Sequence, residues 1–132
     1  MAAYDLSRVI ARIVASAQAV AEGAQPGQAV QQYEAALDRD MREHKLQFAR
    51  QNPIGVPFDG PPDHGFYADF IVEGRVLLEL ICVATLGPTE TDLAFNYLRE
   101  SGADICLLIN FGRSPVEIRR ILPSGEWSAE TQ

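Results

Sequence analysis

The chain has 132 residues, 47% hydrophobic and 22% charged, which is the size and balance of one folded domain with its own core. Eighteen acids against eleven bases give a net charge of −7, which disfavours stand-alone nucleic-acid binding because that affinity rests on cationic contacts to phosphates. No run approaches the roughly 20 apolar residues that span a bilayer, and an acid at Asp5 falls too early for a secretory leader.

The first periodicity is helical. Leu6, Val9, Ile10, Ile13, Val14, Ala17 and Val20 repeat along one face of residues 4–22, with Asp5 or Ser7 able to cap the start. Gly23 and the turn Gln25-Pro26-Gly27 stop it. A second helix is expected over about 27–43, with Val30, Tyr33, Ala36 or Leu37, and Met41 facing inward.

From Lys45, the only lysine, the period changes to two. Leu46, Phe48 and Arg50 alternate as a half-buried strand, and a short strand around 54–58 precedes the turn cluster Asp59-Gly60-Pro61-Pro62-Asp63. Strands at 65–72 and 75–83 flank a tight turn at Glu73-Gly74 and read as a hairpin. A helix of about 89–100 follows, its inner face built from Leu93, Tyr97 and Leu98, and Ser101-Gly102 ends it. The apolar run 104–110 predicts a central strand covered on both faces. Val116, Ile118 and Arg120 or Ile121 suggest a last strand, and the tail 123–132, with Trp127, shows no period and is expected to fray. This order predicts a single domain over 1–122, an α/β fold with a central mixed sheet flanked by helices.

The hairpin carries the chemistry. Asp69 and Glu79 fall on adjacent strands, and two such carboxylates can share a divalent cation. A phosphate-cutting site of this kind wants a lysine two residues after Glu79, where this chain has Ile81. Cys82 and Cys106 lie in apolar runs and read as small buried hydrophobes; with no CxxC spacing, a cytoplasmic protein is expected. His44 and His64 belong to no zinc or catalytic spacing.

The residues also resemble a known group, the bacterial GxxExxY proteins, small domains of the PD-(D/E)XK nuclease-like superfamily. Gln25 to Leu37 resembles the segment that names the family. Tyr67-Ala68-Asp69-Phe70-Ile71-Val72 and Val76-Leu77-Leu78-Glu79-Leu80 resemble its two core strands, Asn96-Tyr97-Leu98-Arg99 its next helix, and Leu107 to Gly112 its strand end. The likeness runs from about residue 6 to 121 and implies a restriction-endonuclease-like core. It also implies that Asp69 and Glu79 are the catalytic and metal-binding carboxylates, with Mg²⁺ or Mn²⁺ as the cofactor of an active member. The departures fall on chemistry: Val30 stands at the family's glutamate position, Ile81 at its lysine and Leu93 at its glutamine.

Cleavage of a phosphodiester needs carboxylates to hold the ion and a cation to position the attacking water. Valine, isoleucine and leucine supply neither, so Asp69 and Glu79 are expected to be vestigial, a weak metal site at most. Glu34, one helical turn beyond Val30, is a substitute acid or an ordinary solvated carboxylate. Lys45 and Arg99 are candidate cations or ordinary surface charges. Tyr33, Tyr97 and Phe111 are expected to pack between helix and sheet, and Asn110 to hold the turn that follows it.

The favoured function is therefore an inactive nuclease-fold domain acting as a protein-interaction or regulatory module, through a protein partner or self-association. A Mg²⁺- or Mn²⁺-dependent DNA or RNA nuclease with a rearranged site, and non-catalytic nucleic-acid binding through dispersed arginines such as Arg119 and Arg120, are the alternatives. The inactive reading expects Val30, Ile81 and Leu93 to pack together as one closed apolar patch.

Overall fold

The computed structural model describes residues 5–24, 29–51 and 68–130. The expected strand at 54–58, the turns at 25–27 and 59–63, and His64 lie outside the described residues. Three helices and six strands follow in the order α1 (Leu6–Glu22), α2 (Val30–Glu43), β1 (Phe48–Gln51), β2 (Ala68–Val72), β3 (Val76–Ile81), α3 (Pro88–Ser101), β4 (Ile105–Asn110), β5 (Glu117–Ile121) and β6 (Trp127–Glu130).

The helices begin and end where side-chain chemistry allows. Asp5 caps α1, its carboxylate accepting the Ser7 N–H at 3.0 Å. At α3, Pro88 occupies the first turn, where its missing N–H costs nothing, and the Gly87 N–H donates to Glu90 Oε1 at 2.7 Å. Gly102 ends α3 at φ 73°, left-handed backbone that favours glycine. Between β2 and β3, Glu73 and Gly74 both have positive φ, 53° and 68°, as a two-residue hairpin turn matching the strand twist requires.

The strands form one sheet in sequence order, β1-β2-β3-β4-β5-β6. Among the described strands only the β3–β4 pair is parallel, because α3 carries the chain back across the sheet between them. β3 and β4 are buried along their whole length, as expected of central strands covered on both faces. Their alternation divides the core in two. Val76, Leu78, Leu80, Ile105, Leu107 and Ile109 pack beneath α1 and α2, whereas Leu77, Ile81, Cys106 and Leu108 pack beneath α3.

Two expectations need correction. The inner face of α3 is Thr91, Ala94 and Leu98, with Leu93 and Tyr97 only half-buried. Thr91 tolerates burial because its hydroxyl donates to the Gly87 carbonyl at 3.0 Å and accepts from Arg119. The segment expected to fray contains β6, which pairs antiparallel with β5 from Ile121↔Trp127 to Ile118↔Glu130. A turn through Gly125, φ 96°, returns the chain, and the Leu122 N–H donates to the Glu126 carbonyl at 2.9 Å.

Candidate functional site

The hairpin brings the two motif residues into register: Asp69 is the Cα partner of Glu79, between Ala68↔Leu80 and Phe70↔Leu78. On its other side Glu79 faces Leu108 of β4. Glu79 is wholly buried, and so are Leu77 and Ile81, the residues two before and two after it. Ile81 packs in the apolar cluster beneath α3, with Leu86, Ala94, Leu98 and Cys106. A lysine at that position would have to carry its ammonium into this cluster.

Leu93 packs against the same cluster, but Val30 does not. Val30 lies on the opposite side of the sheet, in the cluster with Tyr33, Leu37 and the apolar face of α1. The three positions expected to form one patch are thus divided by the sheet. The reason is the strand period: α2 covers the even-numbered residues of β3, and α3 covers Leu77 and Ile81.

The candidate substitutes are engaged elsewhere. Glu34 forms an ion pair with Arg50 of β1, which also donates to Asp38 Oδ2 at 3.1 Å. Arg50 lies over the Phe70 ring at 5.4 Å from its centroid, and Phe70 belongs to the core beneath α1 and α2. The Arg50 clasp therefore ties β1 to α2 on the side of the sheet away from Ile81. Lys45 sits at φ 64° in the turn after α2, and Arg99 is exposed over the Phe95 ring. His44 closes α2, its Nδ1 2.9 Å from the Asp40 carbonyl oxygen.

The metal implied by the resemblance would draw on Asp69 and Glu79. A divalent ion such as Mg²⁺ dehydrates reluctantly and keeps several waters. Glu79, with no accessible surface and leucine or isoleucine two residues away on each side, fits such an ion poorly.

Other residues that resemble the family have structural roles. Asn110 is fully buried and binds the backbone of Val83 twice: its Nδ2 donates to the Val83 carbonyl and its Oδ1 accepts the Val83 N–H, both at 2.9 Å. The same Oδ1 accepts the Gly112 N–H at 2.9 Å. Phe111 stacks on Tyr33 with ring centroids 4.5 Å apart and planes 6° from parallel, joining β4 to α2. Cys82 is half-buried against the α1–α2 cluster, and burial pushes its thiol pKa up.

Sequence reasoning passed over Arg119, noting it only as one of several dispersed arginines. It donates to Thr91 Oγ1 at 2.7 Å and to the Leu86 carbonyl at 3.3 Å, and it lies 3.9 Å from the centroid of Trp127. Its odd-numbered place in a strand that alternates Ile118 and Ile121 across the sheet was the available signal.

No helix among the described residues is long and apolar enough to cross a membrane. No curated protein and no solved structure matches the chain. A family model does match, over residues 7–121, from α1 through β5; the chain belongs to the PD-(D/E)XK nuclease superfamily.

Proposed function

We propose that this domain is a catalytically inactive member of the superfamily, of the GxxExxY type, and that it works by binding another protein. Ile81 carries the reading. It is wholly buried among apolar side chains two residues after Glu79, where cleavage needs an accessible cation. Val30, at the position where the resemblance places a glutamate, is buried in the opposite core layer, and Glu34 beside it is committed to Arg50. A net charge of −7 favours a protein partner over free nucleic acid.

The test is direct. Purified protein is incubated with single- and double-stranded DNA and RNA in Mg²⁺ and in Mn²⁺, beside Asp69→Ala. The expected result is no cleavage by either protein. Cleavage that disappears in Asp69→Ala would overturn the inactive reading and establish a metal-dependent nuclease.

A further inference from the structure

We propose that β6 is a docking edge that takes a basic, extended peptide of a partner protein as an added strand. The inference rests on the reading of the domain as a protein-binding module and gives that module a surface and a ligand chemistry. β6 is the last strand of the sheet, paired on one side by β5 and on the other by no described strand. Such an edge presents a row of backbone donors and acceptors that an extended chain can satisfy.

The side chains around this edge are those of a binding surface. Trp127 is 46% exposed and Leu122 37%; they are the two large hydrophobics left exposed among the described residues, and both lie on the β5–β6 hairpin. Trp127 is held from beneath by Arg119, whose guanidinium is fixed in turn by Thr91 and the Leu86 carbonyl. An aromatic braced in this way loses little freedom on binding. Beside it is a cavity of about 320 Å³ lined by Leu86, Pro88, Asp92, Phe95, Arg119 and Trp127.

Strand alternation sorts the edge by chemistry. Trp127 and Ala129 fall on the face of the sheet covered by α3, and Glu126, Ser128 and Glu130 on the other. Both nearby arginines are occupied, Arg119 as above and Arg120 by Glu130. The exposed charges left are the acids Glu126 and Asp92 and, on α3 over the Phe95 ring, Arg99; Glu126 alone of these belongs to the hairpin. A matching strand alternates apolar residues, seated beside Trp127, with lysine or arginine beside Glu126, the glutamate of this face that no described arginine holds.

Trp127 is the only tryptophan in the chain, so its emission reports on this site alone. The native protein is titrated with a short capped peptide of alternating lysine and valine with a central phenylalanine. Two controls replace the lysines by glutamates or alternate residues by proline, which removes the N–H donors a strand requires. The expected result is a saturable blue shift with the lysine peptide, lost with both controls and weakened at least several-fold in Glu126→Lys. No saturable shift, or an equal shift with either control, would overturn the proposal. So would a dimer of the protein alone in analytical ultracentrifugation that Trp127→Ala abolishes, since the edge would then belong to a second copy. Asp69-dependent cleavage would sink the inactive reading and leave the emission result standing, whereas a silent titration would sink only the docking edge.

Discussion

Asn110 grips Val83 by both of its backbone groups, and Gly112 lies so close to the same residue that an added Cβ would stand 2.3 Å from its carbonyl oxygen. The end of β4 is thereby locked to the segment leaving β3, next to the stacked Tyr33 and Phe111. Asn110, expected to hold the turn after it, and Tyr33 and Phe111, expected to pack between helix and sheet, are here the joint between two central strands and α2. Their persistence beside Ile81 is therefore no sign of catalysis.

Gly112→Ala is expected to destabilise the fold, because the opposing atoms are Val83 backbone and cannot swing aside. Asn110→Ala should cost about 2–4 kcal/mol, since it leaves the half-buried N–H and carbonyl of Val83 and the Gly112 N–H without their side-chain partner. Urea unfolding measures both. A cost for Asn110→Ala below about 0.5 kcal/mol, the scale of an ordinary surface substitution, would remove the lock from the account.

The elements that were legible in the sequence owe it to period and punctuation. Ile13, Leu37 and Met41 are wholly buried at the helical spacing that predicted them, and Glu73-Gly74 marked its own turn. The register of Asp69 with Glu79 followed from that turn. What the sequence did not carry was which helix covers which face. Val30 and Ile81 look alike as apolar residues at polar positions, yet the sheet separates them. β6 was missed because its burial is slight: Trp127, Ser128 and Ala129 are all exposed, so no apolar alternation marks a strand held mainly by backbone hydrogen bonds. Arg50 was legible as sharing the alternation of Leu46 and Phe48, but its partners Glu34 and Asp38 lie on another element that no local pattern links to it.

Breaking that clasp should be mild. The Arg50 side chain is 43% exposed, so solvent screens the pairs. Arg50→Ala is expected to cost about 0.5–1 kcal/mol, shrinking in high salt. Glu34→Gln should cost no more and leave any Mn²⁺ affinity measured by calorimetry unchanged. A fall in Mn²⁺ affinity in Glu34→Gln would return Glu34 to the list of metal ligands.

Cys82 provides a pH-dependent readout. Burial raises its thiol pKa above the usual 9.0, so the folded state holds the proton more tightly than the unfolded chain does. The resulting advantage is fully present below pH 9 and is lost as the pH rises through the elevated folded value. In a Cys106→Ala background, the reaction of Cys82 with a disulfide reagent should be slower in native protein than in urea. Its rate should also climb with pH at a more alkaline midpoint. Equal midpoints in the folded and unfolded states would mean that the thiol is not shielded.

Ile81→Lys separates a lost catalyst from one that is merely incomplete. The lysine would restore the residue type that the resemblance places after Glu79, but it would enter a buried apolar cluster of Leu86, Ala94, Leu98 and Cys106. Two outcomes are open to such a group: it deprotonates, or the cluster opens to admit solvent, and either is unfavourable. The expected loss of stability is about 3 kcal/mol or more, given that it also forfeits the buried isoleucine. No cleavage should appear in Mg²⁺ or Mn²⁺, because Val30 and Leu93 still stand where the resemblance places polar groups, on opposite sides of the sheet. Urea unfolding and a parallel nuclease assay read the two halves. A substitution neutral in stability would mean that water already reaches this face, and a gain of cleavage would mean that a single side chain separates this domain from an enzyme.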